Sequence, residues 1–138
     1  MIFGKRMFSV SIEDRHALRV YGVFEELIKG AEEELTEIMD RYQIPDQILL
    51  NFKKGNGYFD GTFFAQNKEV SEHMIIIDIY TGHLKVSRSK VKRAVLKLEL
   101  MDTFIHELVH NKYKSERKTY ATAGKLAREI MRCLQKRV

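Results

Sequence analysis

A chain of 138 residues that is 44% hydrophobic and 31% charged, with one cysteine, has the apolar content for a modest core and no means of forming an internal disulfide. Its 24 Lys and Arg against 19 Asp and Glu leave a net charge of +5, which permits an anionic partner without demanding one. A disulfide scaffold, a low-complexity linker and a membrane-spanning protein are excluded, and the expectation is one domain over residues 1–138 in a reducing, cytoplasmic setting with no membrane partner.

The opening MIFGKRMFSVSIEDRH lacks an apolar run followed by a small-residue cleavage site, so no export signal is expected. Ser11-Ile-Glu-Asp14 reads as an N-cap with acid in the first turn and predicts a helix from about Ile12, continued by Leu18, Tyr21, Phe24, Leu27 and Ile28 at helical spacing. Gly30 either ends this helix or interrupts it before a second helical stretch through Leu35, Ile38, Met39 and Tyr42. Pro45-Asp46 then turns the chain.

The period changes next. Gln47 to Phe52, Tyr58 to Ala65 and Glu72 to Tyr80 are rich in β-branched and aromatic residues and predict three mostly antiparallel strands. Lys54-Gly-Asn-Gly57 reads as the hairpin turn between the first two. Helical spacing returns at about Ser89, where Val91, Val95, Leu98, Met101, Ile105, Leu108 and Val109 predict one apolar stripe against the sheet. After a break over Lys112 to Lys114, Ser115 is a fitting N-cap for a last helix to about Gln135, with Tyr120, Leu126, Ile130 and Met131 facing inward. The expected architecture is α+β: N-terminal helices, a small sheet, then a helical hairpin.

The chemistry concentrates in FIHELVH, residues 104–110. His106 and His110 stand at i and i+4, so their imidazoles lie one turn apart on one helix face and can meet a single ion at roughly 2.0–2.1 Å. Glu107 lies about 100° further round, where its carboxylate can reach a water on that ion. The bland alternative is a helix with two hydrogen-bonded histidines and a surface acid. A hydrolytic zinc site usually takes a third protein ligand. No histidine follows His110 and no aspartate follows Asp102, which leaves Glu116 and Glu129 downstream. Glu116 is preferred, because an antiparallel helical hairpin returns it to the level of His110, whereas Glu129 lies roughly 20 Å further along the helix. An acid at a helix start is also explained by the helix dipole alone. Asp102, one turn before His106, either orients that imidazole or is a solvated charge. Cys133 is expected to be a structural thiol, buried or half-buried.

With these residues in view, the HExxH stretch resembles the zincin metallopeptidases, and a glutamate ligand would make the chain a gluzincin. Its size and element order resemble the minimal gluzincins, or minigluzincins, over about Gln47 to Met131. The run SERKTYATAGKLAREIM is similar to the glutamate helix of ImmA/IrrE-type peptidases. The resemblance implies Zn2+ held by His106, His110 and Glu116, with Glu107 as general base in peptide-bond hydrolysis. It also implies a peptide or protein substrate lying along an edge strand, for which Glu72 to Tyr80 is the expected segment. Candidate donors to the developing oxyanion are Tyr113, Tyr120, His73 and His83. Larger gluzincins carry an aspartate four residues after the ligand glutamate, where this chain has Tyr120, and Tyr113 stands where metzincins of the same ligand spacing have a glycine. An alternative reading, a basic nucleic-acid-binding or regulatory protein with a non-catalytic site, draws on SRSKVKR and the tail MRCLQKRV, but no zinc-finger, RNA-recognition or phosphate-loop motif accompanies them. A protease that cuts a regulator would join the two.

Overall fold

Phe8, Val10 and Ile12 alternate with Ser9 and Ser11, and this period of two makes the N-terminal segment a strand before any helix begins. The computed structural model describes residues 1–56, 65–71, 73–110 and 116–136, the side chains of 65–71 and 116 excepted. In it β1 (Ile2–Phe3) and β2 (Arg6–Ile12) precede α1 (Arg15–Gly30) and α2 (Glu32–Arg41). The helix predicted from Ile12 therefore starts three residues later. Its cap is Asp14 in place of Ser11: the Asp14 carboxylate accepts from the Ala17 amide at 2.7 Å. Gly30 closes α1, and α2 follows after Ala31.

The sheet corrects the expected three mostly antiparallel strands. Five described strands run in the order β1-β2-β3-β5-β4, with β3 at Gln47–Lys53, β4 at Ala65–Ser71 and β5 at Met74–Tyr80. β2, β3 and β5 are mutually parallel; only the outer pairs, β1 with β2 and β4 with β5, are antiparallel. The helical connection explains the parallel pairing of β2 and β3, since a crossover through α1 and α2 returns the chain in its original direction. The hairpin expected at Lys54 to Gly57 would pair β3 with the strand at Tyr58 to Ala65, but the two described neighbours of β3 are β2 and β5. Of the strand expected at Tyr58 to Ala65, all but Ala65 falls outside the described residues, as does Gly57.

The parallel register stacks apolar residues in rows: Phe8, Ile48 and Ile75 in one, Val10, Leu50 and Ile77 in the next, Ile12, Phe52 and Ile79 in the third. Phe24 of α1 meets Phe52 edge-on at 5.4 Å and Phe104 at 5.1 Å, and Phe104 meets Phe8 at 6.3 Å. One hydrophobic cluster thus joins sheet, α1 and the long helix α3 (Lys90–His110). The last helix, α4 (Glu116–Lys136), packs along α3 and buries Ala123, Leu126, Ala127 and Ile130. At the C-terminal ends of the parallel strands, Thr81 donates to the Lys53 carbonyl and the Gly82 amide to the Gly55 carbonyl at 2.8 Å.

The apolar stripe of α3 differs from expectation in its first half. Val91, Val95 and Leu98 are 74%, 52% and 42% exposed, while Leu96, Leu100, Met101 and Phe104 enter the core. From Phe104 to Val109 every residue is buried, because the sheet and α1 cover one side of the helix and α4 the other. Among the described residues no helix is long and apolar enough to cross a membrane.

Candidate metal centre

The HExxH turn occupies the end of α3, in the stretch enclosed on both sides. Leu108 and Val109 are fully buried, as their apolar character requires, and they fix the rotation of the turn. That rotation places His106 and Glu107 in nearly water-free surroundings, at 7% and 3% exposure, with His110 half-buried at the helix end. The two imidazoles face each other edge to face, 4.7 Å between ring centres and 82° between planes. Two imidazoles that share a tetrahedral ion stand roughly 3.3 Å apart at their ligating nitrogens. The ring separation of 4.7 Å is compatible with that spacing.

α4 supplies the next wall. The Tyr120 ring lies against His106 at 4.5 Å, tilted by 56°. Tyr120 is 45% exposed, so it borders the imidazole and does not fill the core as expected. Glu116 is the first residue of α4, one turn before Tyr120 on the same helix face, and its side chain lies outside the described residues. Glu129 is exposed, nine residues beyond Tyr120 and thus about 13 Å further along the axis. Among the described residues no group of three His, Cys, Asp or Glu forms a ligand cluster. The two histidines are the described donors, and Glu116 is the downstream acid nearest to them in the backbone.

Asp102, one turn before His106, is half-buried. Desolvation holds its carboxyl above the usual aspartate range, against the smaller pull of His106 and Arg128 in the opposite direction. Asp102 is therefore not a fully solvated charge.

The other candidates are dispersed. Tyr113 lies outside the described residues. His73 sits in the exposed turn before β5, where its carbonyl accepts from Gln47. His83 is in the loop between β5 and α3, and burial holds its imidazole below the usual value. That loop is tied to the start of α1, because His16 Nε2 donates to the Thr81 and Leu84 carbonyls at 2.9 and 2.8 Å. Cys133 is exposed, contrary to expectation. Nor is the segment expected to carry substrate an edge: β5 is interior, and β4 is the outer strand beside it among the described residues.

Sequence reasoning missed two buried charged groups. Arg6, 3% exposed, donates to the Ile44 carbonyl at 3.1 and 3.2 Å and pairs with Asp40 at 2.8 Å, which draws the Asp40 carboxyl below its ordinary range. Asp78, 2% exposed, accepts from its register partner Asn51 at 2.8 Å. Both contacts span distant sequence positions, and no local spacing announces them.

No protein-family model, functionally described protein or solved structure matches this chain.

Proposed function

We propose that this chain is a small, single-domain, cytoplasmic zinc metallopeptidase of the minimal gluzincin kind. The observation that carries the reading is the pair of imidazoles, His106 and His110, apposed at 4.7 Å on a turn whose intervening Glu107 is also buried. His106, His110 and Glu116 would hold the ion. When bound, zinc supplies Lewis-acid polarisation of the scissile carbonyl and acidifies a water.

The chain's own residues do the rest. The Glu107 carboxylate takes a proton from the attacking water as its oxygen bonds to the carbonyl carbon, then delivers that proton to the amine nitrogen as the C–N bond breaks. Burial of Glu107 keeps bulk water from competing for that proton. Tyr120 restricts the plane of the His106 imidazole by ring contact. The substrate strand, expected at Glu72 to Tyr80, is better assigned to β4, the outer strand among the described residues, along which an extended peptide can pair through its main chain.

Elemental mass spectrometry on wild type, Glu116→Ala and Glu129→Ala, with a peptide-hydrolysis assay on Glu107→Gln, tests the proposal. About one zinc per chain is expected in wild type and in Glu129→Ala, with a sharp loss in Glu116→Ala. Glu107→Gln should keep its zinc and lose hydrolysis. Wild type that takes up no zinc when reloaded at neutral pH would sink the reading.

A further inference from the structure

The first half of α3 has a surface that the metal centre does not use. Val91, Val95 and Leu98 follow one another at i, i+4 and i+7, within roughly 60° on the helix surface, and all three are exposed. Leu96 and Leu100, on the opposite side, are anchored in the core, so the stripe is the outward crest of a helix held rigidly from beneath. Along the chain cations dominate this stretch: from Thr81 to Leu98 there are six Lys or Arg and no acid, and Glu99 is the first to follow. Arg93 and Lys97 are occupied by Glu26 of α1, at 2.9 and 3.5 Å. Lys85, Arg88, Lys90 and Lys92 are exposed and, among the described residues, enter no ion pair.

We propose that this crest docks the chain reversibly on an anionic lipid bilayer, the three aliphatic side chains entering the interface while the flanking cations meet the headgroups. Charge complementarity selects this occupant. A second copy related by a two-fold axis would set the same cations against one another. Nucleic acid would engage the cations through its phosphates and leave the aliphatic crest with nothing to bury against. A partner that closes around a basic helix needs that helix free on all sides, and here the far side is already packed. A convex, rigid ridge suits a plane. Three aliphatics and four available cations make the binding weak and salt-sensitive. The inference does not rest on the metal-centre reading.

Sedimentation of the full chain with sucrose-loaded vesicles tests it, using phosphatidylcholine alone and phosphatidylcholine with one third phosphatidylserine. Wild type should partition onto the anionic vesicles, fail to partition onto the neutral ones, and be released by salt. Val91→Ser with Val95→Ser should lower the partition coefficient by roughly tenfold, since both side chains lose burial in the interface. Lys90→Gln with Lys92→Gln should lower it by a similar factor. These positions are exposed, so both variants should melt as wild type does. No partition of wild type onto anionic vesicles at low salt would overturn the proposal. So would an unchanged partition of the valine variant, which would make the surface merely cationic. Tighter retention on a DNA duplex than on vesicles, undiminished in the valine variant, would assign the surface to nucleic acid instead.

Discussion

The Tyr120 ring rests on the His106 imidazole, 4.5 Å from centre to centre, and so joins the first turns of α4 to the end of α3 at the HExxH motif. In the gluzincin reading proposed above, Tyr120 would stand four residues after the ligand Glu116, and ring packing would take the place of a carboxylate there. Tyr120→Ala should weaken zinc binding by roughly tenfold, as loss of a group that orients a ligand does, and Tyr120→Phe should retain it. Competition with a chromophoric chelator measures both. Equal affinity in Tyr120→Ala would show that the contact orients nothing.

Phe104 joins β2, α1 and α3 through its edge-on contacts with Phe8 and Phe24. Phe104→Ala should cost about 3–5 kcal/mol in urea unfolding, whereas Val95→Ala, on the exposed crest, should stay within about 0.5 kcal/mol. A large loss from the valine change would mean that the crest is covered within the chain.

A side chain at Gly82 has no room. Its Cβ would stand 2.7 Å from both the carbonyl carbon and the oxygen of Gly55, and backbone cannot give way as the end of a side chain can. Gly82→Ala should destabilise by about 1–3 kcal/mol, read from the urea midpoint. Gly22→Ala, where a Cβ meets nothing within 4 Å, is the control: in an exposed helix position it should stabilise by about 0.5–1 kcal/mol.

Tyr21 shapes the alkaline limit. Burial first, then its hydrogen bond to Glu25 at 2.7 Å, pushes the phenol up to about 12 from 10.0. The fold therefore favours the protonated phenol. That contribution to stability is complete below the unfolded value near 10 and is lost as pH rises through about 12. In urea unfolding between these limits, Tyr21→Phe should lose stability less steeply than wild type. Parallel pH profiles for the two proteins would remove Tyr21 as a cause.

Much of this molecule is set by local pattern. The helical spacing of Leu18, Tyr21, Phe24, Leu27 and Ile28, the period-two run of β3, and His106 and His110 at i and i+4 each depend on neighbours within a turn or two, so they can be read along the chain. The β2 strand was equally readable in the alternation of Phe8, Val10 and Ile12 with serines; Ser11 as a helix cap was the competing signal, and the Asp14 carboxylate took the role.

Other features were decided only when distant segments met. A strand's own residues do not say whether its neighbour runs parallel, and the crossover through α1 and α2 settled that for β2 and β3. α3 carries two apolar stripes at helical spacing; the sheet and Phe24 chose Leu96, Leu100 and Phe104 for the core, leaving Val91, Val95 and Leu98 outside. The contact of Tyr120 with His106 and the burial of Arg6 against Ile44 depend on where one helix or strand lies across another. Periodicity fixes which way a side chain points from its own axis, and the packing of many surfaces at once fixes what it meets there.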